Sequence, residues 1–129
     1  MIEFHTSSAP PHLTVRFSGT VSEADVRDEF QGFEDVLSAL PHGYVALVDC
    51  LDPAYLTPPA LGPLYYHAVR ALDTDPELTV LLCGDRNPDP HLSGFLRRVV
   101  PGNRVRIARS EDEAQRLFER HRDGPRDNK

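Results

Sequence analysis

Strand-like and helix-like patterns alternate along this chain of 129 residues, and that alternation limits the possible folds more than any other feature. Five short stretches have the apolar composition or the two-residue alternation of strands, and four longer ones have apolar residues at helical spacing. The predicted order is β-β-α-β-α-β-α-β-α. Such an order favours parallel strands joined by right-handed crossovers. We therefore predict an α/β fold, with a mainly parallel mixed sheet and helices mostly on one face.

The strand patterns explain why one face of the sheet is expected to stay partly open. We predict strands at 2–6, 12–18, 44–50, 78–83 and 104–108. In the second of them, Leu13, Val15 and Phe17 alternate with polar residues, and 104–108 shows the same alternation. A strand with a polar face is not covered on both sides. The first two strands are close enough in sequence to form a hairpin.

The helix patterns are amphipathic and have recognisable ends. We predict helices at 22–40, 57–72, 90–100 and 110–122, with capping-box residues Ser22 and Asp25 before the first, and Ser110 and Glu113 before the last. The predicted inner stripes are Val26, Phe30, Phe33, Leu37 and Leu40; Leu61, Leu64, Ala68 and Leu72; Leu92, Phe95, Leu96 and Val99; and Ala114, Leu117 and Phe118.

Composition limits the cellular setting and the partners. The chain is long enough for one domain, which we place at residues 1–122, followed by a polar tail at 123–129. No apolar run is long enough for a membrane span, and the N-terminus lacks the pattern of a secretory signal, so we expect a cytoplasmic protein. The net charge of −6 disfavours general binding of nucleic acid.

Several enzyme classes lack the residues that they need. The single lysine is Lys129, so neither a phosphate-binding P-loop nor a Schiff-base site is available inside the fold. The two cysteines, Cys50 and Cys83, lie 33 positions apart and do not form a zinc-binding pattern. We expect two buried thiols, and a disulfide would need their Cα atoms within about 7 Å. No catalytic residue, cofactor or metal is predicted.

Two sets of polar residues have both a functional and a structural interpretation. Asp49, Asp52 and Asp85 lie at or just after the ends of predicted strands, where open α/β sheets bind ligands. They could hold magnesium or share a proton, whereas turn formation explains the same residues without chemistry. His67 on the second helix is either a catalytic base or a structural side chain.

Four stretches, in this order, resemble STAS domains, the anti-sigma-factor antagonist family: 13–19 (LTVRFSG), 45–50 (VALVDC), 80–85 (VLLCGD) and 110–114 (SEDEA). The likeness extends over about residues 2–120. It is greatest for a divergent, mostly uncharacterised bacterial branch described as STAS-like or related to CRAL-TRIO lipid-binding domains. The resemblance implies a protein that acts by binding another protein, such as a kinase or a regulatory factor.

The resemblance also implies a regulatory position at the start of the second helix. Regulatory members are phosphorylated on a serine in an Asp-Ser-Ser/Thr-Gly motif, and counting without gaps from Asp49 places that motif on residues 57–60. The sequence there is TPPA, so both serine positions are proline. Thr57 is the one hydroxyl left, and it suits either a phosphosite or a helix N-cap with Pro58 behind it.

Three hypotheses about function follow. The first is a non-enzymatic interaction domain that also allows a homodimer, with a partner surface of Leu56, Pro58, Leu61, Tyr65 and Tyr66. The second is a domain that binds a lipid or small apolar ligand between the helices and the sheet. The third is an enzyme that uses Asp49 and Asp85.

Overall fold

The computed structural model describes residues 1–8, 11–41, 43–52, 54–72, 74, 76–83 and 104–127. The strands are β1 (Ile2–Ser8), β2 (Pro11–Phe17), β3 (Gly19–Val21), β4 (Val45–Asp49), β5 (Ala54–Leu56), β6 (Leu78–Leu82) and β7 (Val105–Ala108). The helices in these ranges are α1 (Glu23–Glu29), α2 (Phe33–Ala39), α3 (Pro58–Leu72) and α4 (Glu111–Asp127). The predicted helix at 90–100 and the residue Asp85 lie outside the described residues.

The main sheet has five strands in the order β1-β2-β4-β6-β7. β1 and β2 form the predicted hairpin and pair antiparallel, with Ile2 opposite Phe17, while the three other pairings are parallel. The mainly parallel mixed sheet is therefore confirmed. The strands β2, β4 and β6 follow one another in one direction across the sheet, so right-handed connections from β2 to β4 and from β4 to β6 fall on one face.

The two faces of the sheet support two separate hydrophobic clusters. In β6, Leu81 belongs to the cluster that contains residues of α1, α2 and α3, whereas Val80 and Leu82 belong to the cluster that contains Ala114 of α4. Neighbouring residues of a strand point to opposite faces. Consequently, among the described residues, α1–α3 cover one face and α4 covers part of the other. This confirms helices mostly on one face and leaves the β1–β2 side of the second face uncovered by any described helix.

The helix predicted at 22–40 is wrong in one respect, because it is divided into α1 and α2. Its start is confirmed, since the Ser22 hydroxyl accepts from the Asp25 backbone N–H at 3.2 Å and the Asp25 carboxylate accepts from the Ser22 N–H at 2.9 Å. α1 ends at Glu29, and Gly32, with a φ of 79°, is the N-cap of α2. A glycine adopts this left-handed conformation without the steric penalty of a side chain.

Two short strands were not predicted. Residues 51–56 were expected to form a loop and Gly19 to end a strand, yet Gly19–Val21 and Ala54–Leu56 pair in parallel as a separate two-stranded sheet. Three residues are too few to show a strand period, and their hydrogen bonds come from a partner distant in sequence. The pairing matters for function because it positions the start of α3, where the Thr57 N–H donates to the Val21 carbonyl at 3.0 Å.

The last helix begins as predicted and extends further. The Ser110 hydroxyl accepts from the backbone N–H of Glu113 at 3.1 Å, as expected for an N-cap. The helix continues to Asp127, so the segment after Arg122 that we assigned to a polar tail is helical over 123–127. Among the helices of the described residues, none is long and apolar enough to cross a membrane.

Candidate functional site

The outer side of α3 forms an exposed aromatic surface, which we call the α3 face: Tyr55 of β5 and Pro58, Tyr65, Tyr66 and Val69 of α3. The three tyrosines are 58%, 46% and 57% exposed. The α3 members recur with helical spacing, and the opposite side of the same helix carries the buried Ala60 and Leu64. Burial of that inner side in the core shared with α1 and α2 therefore holds the outer side towards solvent.

Some of the predicted partner residues are exposed and others are buried in the core beneath them. Pro58, Tyr65 and Tyr66 are exposed, as a contact surface requires, and Leu61 is partly buried against the core. Leu56 is only 7% exposed and belongs to the α1–α3 core, so it supports the surface from beneath. Tyr55 and Val69 were missed, although the exposed phase of the helix identifies Val69 once the inner stripe is known.

Thr57 directly precedes Pro58, the first residue of α3. It is partly buried, and its carbonyl accepts from the Ala60 N–H at 2.9 Å, which is the backbone arrangement of a helix N-cap. Pro58 follows as the first residue of α3, where a missing N–H removes no helix hydrogen bond. This geometry is compatible with both interpretations of Thr57, and its role stays a prediction.

Asp49 is a buried carboxylate that pairs with an arginine on the neighbouring strand. Its side chain is 6% exposed, and Oδ2 accepts from Nε of Arg16 at 3.0 Å while Oδ1 accepts from the Leu51 N–H at 3.1 Å. Arg16 lies directly opposite Asp49 in the β2–β4 register. The hydrogen bond and charge of Asp49 raise the pKa of Arg16, and the charges of Glu3 and Asp52 add to the effect.

The predicted acidic cluster is not seen as a cluster in the part of the chain that the structure describes. Both oxygens of Asp49 have hydrogen-bond partners, Asp52 is exposed, and Asp85 lies outside the described residues. The described His, Cys, Asp and Glu side chains include no group of three or more placed to hold a metal ion. The geometry of Asp49 fits a structural ion pair, and the enzyme hypothesis gains no support from it.

A groove of about 1180 Å³ lies between the open half of the sheet and α4. Its walls include His5, His12, Thr14, Arg16 and Asp49 on the strands and Gln115, Phe118, His121 and Arg122 on α4. The polar positions of strand 12–18 indicated an open face, but the sequence did not show that the last helix would form the other wall. The lining also includes the apolar side chains of Val45, Leu47 and Leu82. The groove therefore combines polar and apolar side chains, and the binding of a lipid or a small apolar ligand stays a prediction.

His12 on β2 contacts α4 across the groove. Its Nε2 lies 2.7 Å from the Thr14 hydroxyl, and its ring meets Phe118 of α4 edge-on at 5.5 Å. Burial lowers the pKa of His12. Further along α4, the His121 Nε2 lies 3.0 Å from the Glu77 carboxylate. These contacts fix the position of α4 on the sheet.

His67 is part of an aromatic cluster on the inner side of α3. Its ring stacks on Phe30 with centroids 4.6 Å apart and meets Phe33 edge-on at 6.1 Å. Its Nδ1 is buried and has no hydrogen-bond partner among the described residues. Burial lowers the pKa of His67, partly opposed by the charge of Glu34. These contacts support the structural interpretation of His67.

The partly buried position of His67 predicts a contribution to the free energy of unfolding that is lost in acid. Because the folded state lowers the pKa of His67 below that of the unfolded chain, the unfolded state binds the proton more tightly, and stability falls as the pH decreases through 6.5 towards the lowered pKa. Glu34, which faces His67 from α2 and pairs with Arg70 at 2.8 Å, weakens the effect without reversing it. We expect His67→Phe to lose less stability than the wild type between about pH 7.5 and about pH 5.

Urea unfolding at the two pH values measures this difference. His5→Gln is the control for removing a histidine from the surface, since the side chain of His5 is 67% exposed and lies 4.0 Å from the Glu3 carboxylate. Equal losses in the wild type and in His67→Phe would contradict the assignment.

Solved structures with the same architecture include an anti-sigma factor antagonist. SpoIIAA in its unphosphorylated form matches with a TM-score of 0.60, 12% identity and coverage of 92% of this chain and 98% of that one. The chain has a SpoIIAA-like fold. The phosphorylated form of SpoIIAA, described as a Bacillus cell fate determinant, matches with a TM-score of 0.59 and 12% identity, covering 92% and 99%.

An uncharacterised protein from Shewanella loihica PV-4 shows the same similarity. It belongs to the DUF3478 family, is described as having a SpoIIAA-like fold, and matches with a TM-score of 0.64 and 15% identity over 91% of each chain. No protein-family model and no curated protein matches the sequence. The STAS resemblance is thus confirmed for the fold, and the expected relation to CRAL-TRIO domains finds no support in these structures.

Proposed function

We propose that this protein is a non-enzymatic interaction domain that binds a partner protein on the α3 face. The observation that supports this most is the stretch of residues 53–69, which contains no Asp, Glu, Lys or Arg although 26% of the chain is charged. It begins after Asp52, ends before Arg70 and includes every residue of the α3 face. Depletion of charge together with exposed tyrosines is typical of the core of a protein–protein interface.

The similarity to SpoIIAA supports a partner of the regulatory type. That protein is an anti-sigma factor antagonist and has a phosphorylated form, so the fold is used there by a regulator that is itself modified. We propose a kinase or a regulatory factor as the partner here. Because the two serine positions of the family motif are Pro58 and Pro59, we propose that Thr57 acts as a helix cap and that binding does not depend on its phosphorylation.

The experiment is a quantitative pull-down from the lysate of the source organism. We expect Tyr65→Ser combined with Tyr66→Ser to reduce recovery of the partner by roughly tenfold or more, because exposed tyrosines at interface centres are frequent hot spots. The two side chains are 46% and 57% exposed. Urea unfolding of the double variant checks that it stays folded when the edge-on contact of Tyr66 with His67 is lost. Gln115→Ala, on exposed α4, is the control and should retain the partner.

Two other arms separate the alternatives. Thr57→Glu should retain the partner if Thr57 is a cap, and loss of the partner would favour the phosphosite. Recovery of a second copy of this chain as the dominant bound species would favour the homodimer. Unchanged recovery with the double tyrosine variant would contradict docking on the α3 face.

A further inference from the structure

Cys50 and Cys83 are 33 positions apart in sequence but follow two neighbouring strands at the same level. Asp49 at the end of β4 lies opposite Leu82 at the end of β6. The Cys50 N–H donates to the Leu82 carbonyl at 2.8 Å, so the parallel ladder continues one residue past β4. The next pair in this register is Cys50 and Cys83.

The two side chains also belong to the same face of the sheet. Cys50 packs against the α1–α3 core, as does Ala46 four residues earlier on the strand. Leu81 belongs to that core as well, and Cys83 is two residues further along, which is one full period of a strand. Neighbouring strands lie about 4.8 Å apart, within the range of about 4.4–6.8 Å that Cα atoms span in a disulfide.

We propose that Cys50 and Cys83 form a vicinal dithiol that small-molecule disulfides oxidise reversibly to an intramolecular disulfide. The proposal rests on the register and not on the α3 face, so it stands whether or not that face binds a partner. Both cysteines are reduced in this structure, and Cys83 donates from Sγ to the Ala108 carbonyl at 3.6 Å. This weak hydrogen bond is given up when the disulfide forms.

The exposure of the two cysteines determines which of them reacts first in the exchange. Cys50 is partly exposed and Cys83 is buried, so an incoming disulfide reaches Cys50 first. The Cys50 thiolate attacks one sulfur of the small disulfide, forms a mixed disulfide and releases the first small thiolate. The Cys83 thiolate then attacks the Cys50 sulfur and releases the second. The protons of the two protein thiols end on the two released small thiols, which balances the exchange.

Oxidised glutathione, added to the reduced full-length protein, tests the proposal by intact mass and by peptide mapping. We expect a monomer that is lighter by two hydrogen atoms and that returns to its original mass on addition of a reduced thiol. Cleavage at Arg70 separates the two cysteines, so a non-reducing digest should contain peptide 28–70 joined to peptide 71–86. Cys83→Ser should stop at the glutathione adduct on Cys50, and Cys50→Ser should react far more slowly.

Phenylarsine oxide provides a second measurement that does not depend on a disulfide forming. One molecule of this trivalent arsenical bridges two nearby thiols. The wild type should therefore bind one molecule per chain and leave neither thiol reactive, while neither single variant should bind it stably. Circular dichroism confirms that the variants are folded. A wild type that accumulates only the Cys50 adduct, or only intermolecular disulfides, or that does not react, would overturn the proposal.

Discussion

Arg16→Met should lower the free energy of unfolding by about 3 kcal/mol, because it leaves the Asp49 carboxylate buried without its cation. The pair is asymmetric, since the arginine side chain is 44% exposed and the aspartate 6%. The arginine therefore forgoes little hydration on folding, whereas the carboxylate depends on the arginine and on the Leu51 N–H. Methionine keeps most of the volume of the arginine side chain. The expected loss of unfolding free energy therefore reports the missing ion pair rather than a change in packing.

Urea unfolding of Arg16→Met beside Arg27→Met distinguishes this pair from an ordinary surface salt bridge. Arg27 pairs with Glu23 at 3.7 Å on the exposed side of α1, and its replacement should change the free energy of unfolding by no more than about 0.5 kcal/mol. Equal effects of the two substitutions would contradict the structural role that we assign to Asp49.

Phe30→Ala should lower the free energy of unfolding by about 3–5 kcal/mol, because it leaves a cavity where four aromatic side chains meet. Phe30 lies with its ring centroid 4.9 Å from those of Phe4 and Phe33 and 4.6 Å from that of His67. These contacts join the turn between α1 and α2 to β1, α2 and α3. Loss of the phenyl ring therefore removes packing from three elements, two of which are distant in sequence.

Denaturant unfolding again provides the measurement, with Phe30→Leu as the graded variant if the alanine variant does not fold. We expect Phe30→Leu to cost about 1–1.5 kcal/mol, since leucine fills much of the site. Tyr55→Ala is the control for removing an aromatic ring from a position that is 58% exposed, and it should cost no more than about 0.5 kcal/mol. A cost for Phe30→Ala no greater than that of the control would show that the cluster does not stabilise the fold.

Local sequence patterns predicted the parts of this fold that depend on local physics. The alternation in 12–18 gave the buried side of β2, and the stripe through Val26, Phe30, Phe33 and Leu37 gave a continuous apolar side even though Gly32 divides the helix. The stripe survives because the turn between α1 and α2 keeps both helices packed on the same core. A single glycine inside an amphipathic pattern does not reveal from sequence whether it will adopt a positive φ.

The parts that depend on strand register could not be predicted. The ion pair between Arg16 and Asp49, the pairing of β3 with β5 and the proximity of Cys50 to Cys83 each join residues that are more than about thirty positions apart. A shift of one residue in the register would separate all of them and turn their side chains to the opposite faces. The groove depends likewise on where α4 packs, which its amphipathic pattern does not specify.

For the candidate site, the sequence identified the segment but not its exposed residues. Pro58, Tyr65 and Tyr66 are exposed, whereas Leu56 is buried in the core and Tyr55 was not recognised. The reason is the short β3–β5 pairing, in which alternate side chains point to opposite sides. Once Leu56 is buried, its neighbour Tyr55 is exposed.

Hydrogen–deuterium exchange on the complex with the partner recovered in the pull-down tests the central claim most directly. If the α3 face is the docking surface, amides in residues 55–69 should exchange more slowly in the complex than in the free protein, while residues 12–16 and 115–121 around the groove should be unchanged. Protection confined to the groove, with no change over 55–69, would contradict the account and transfer the binding site to the opposite face of the sheet.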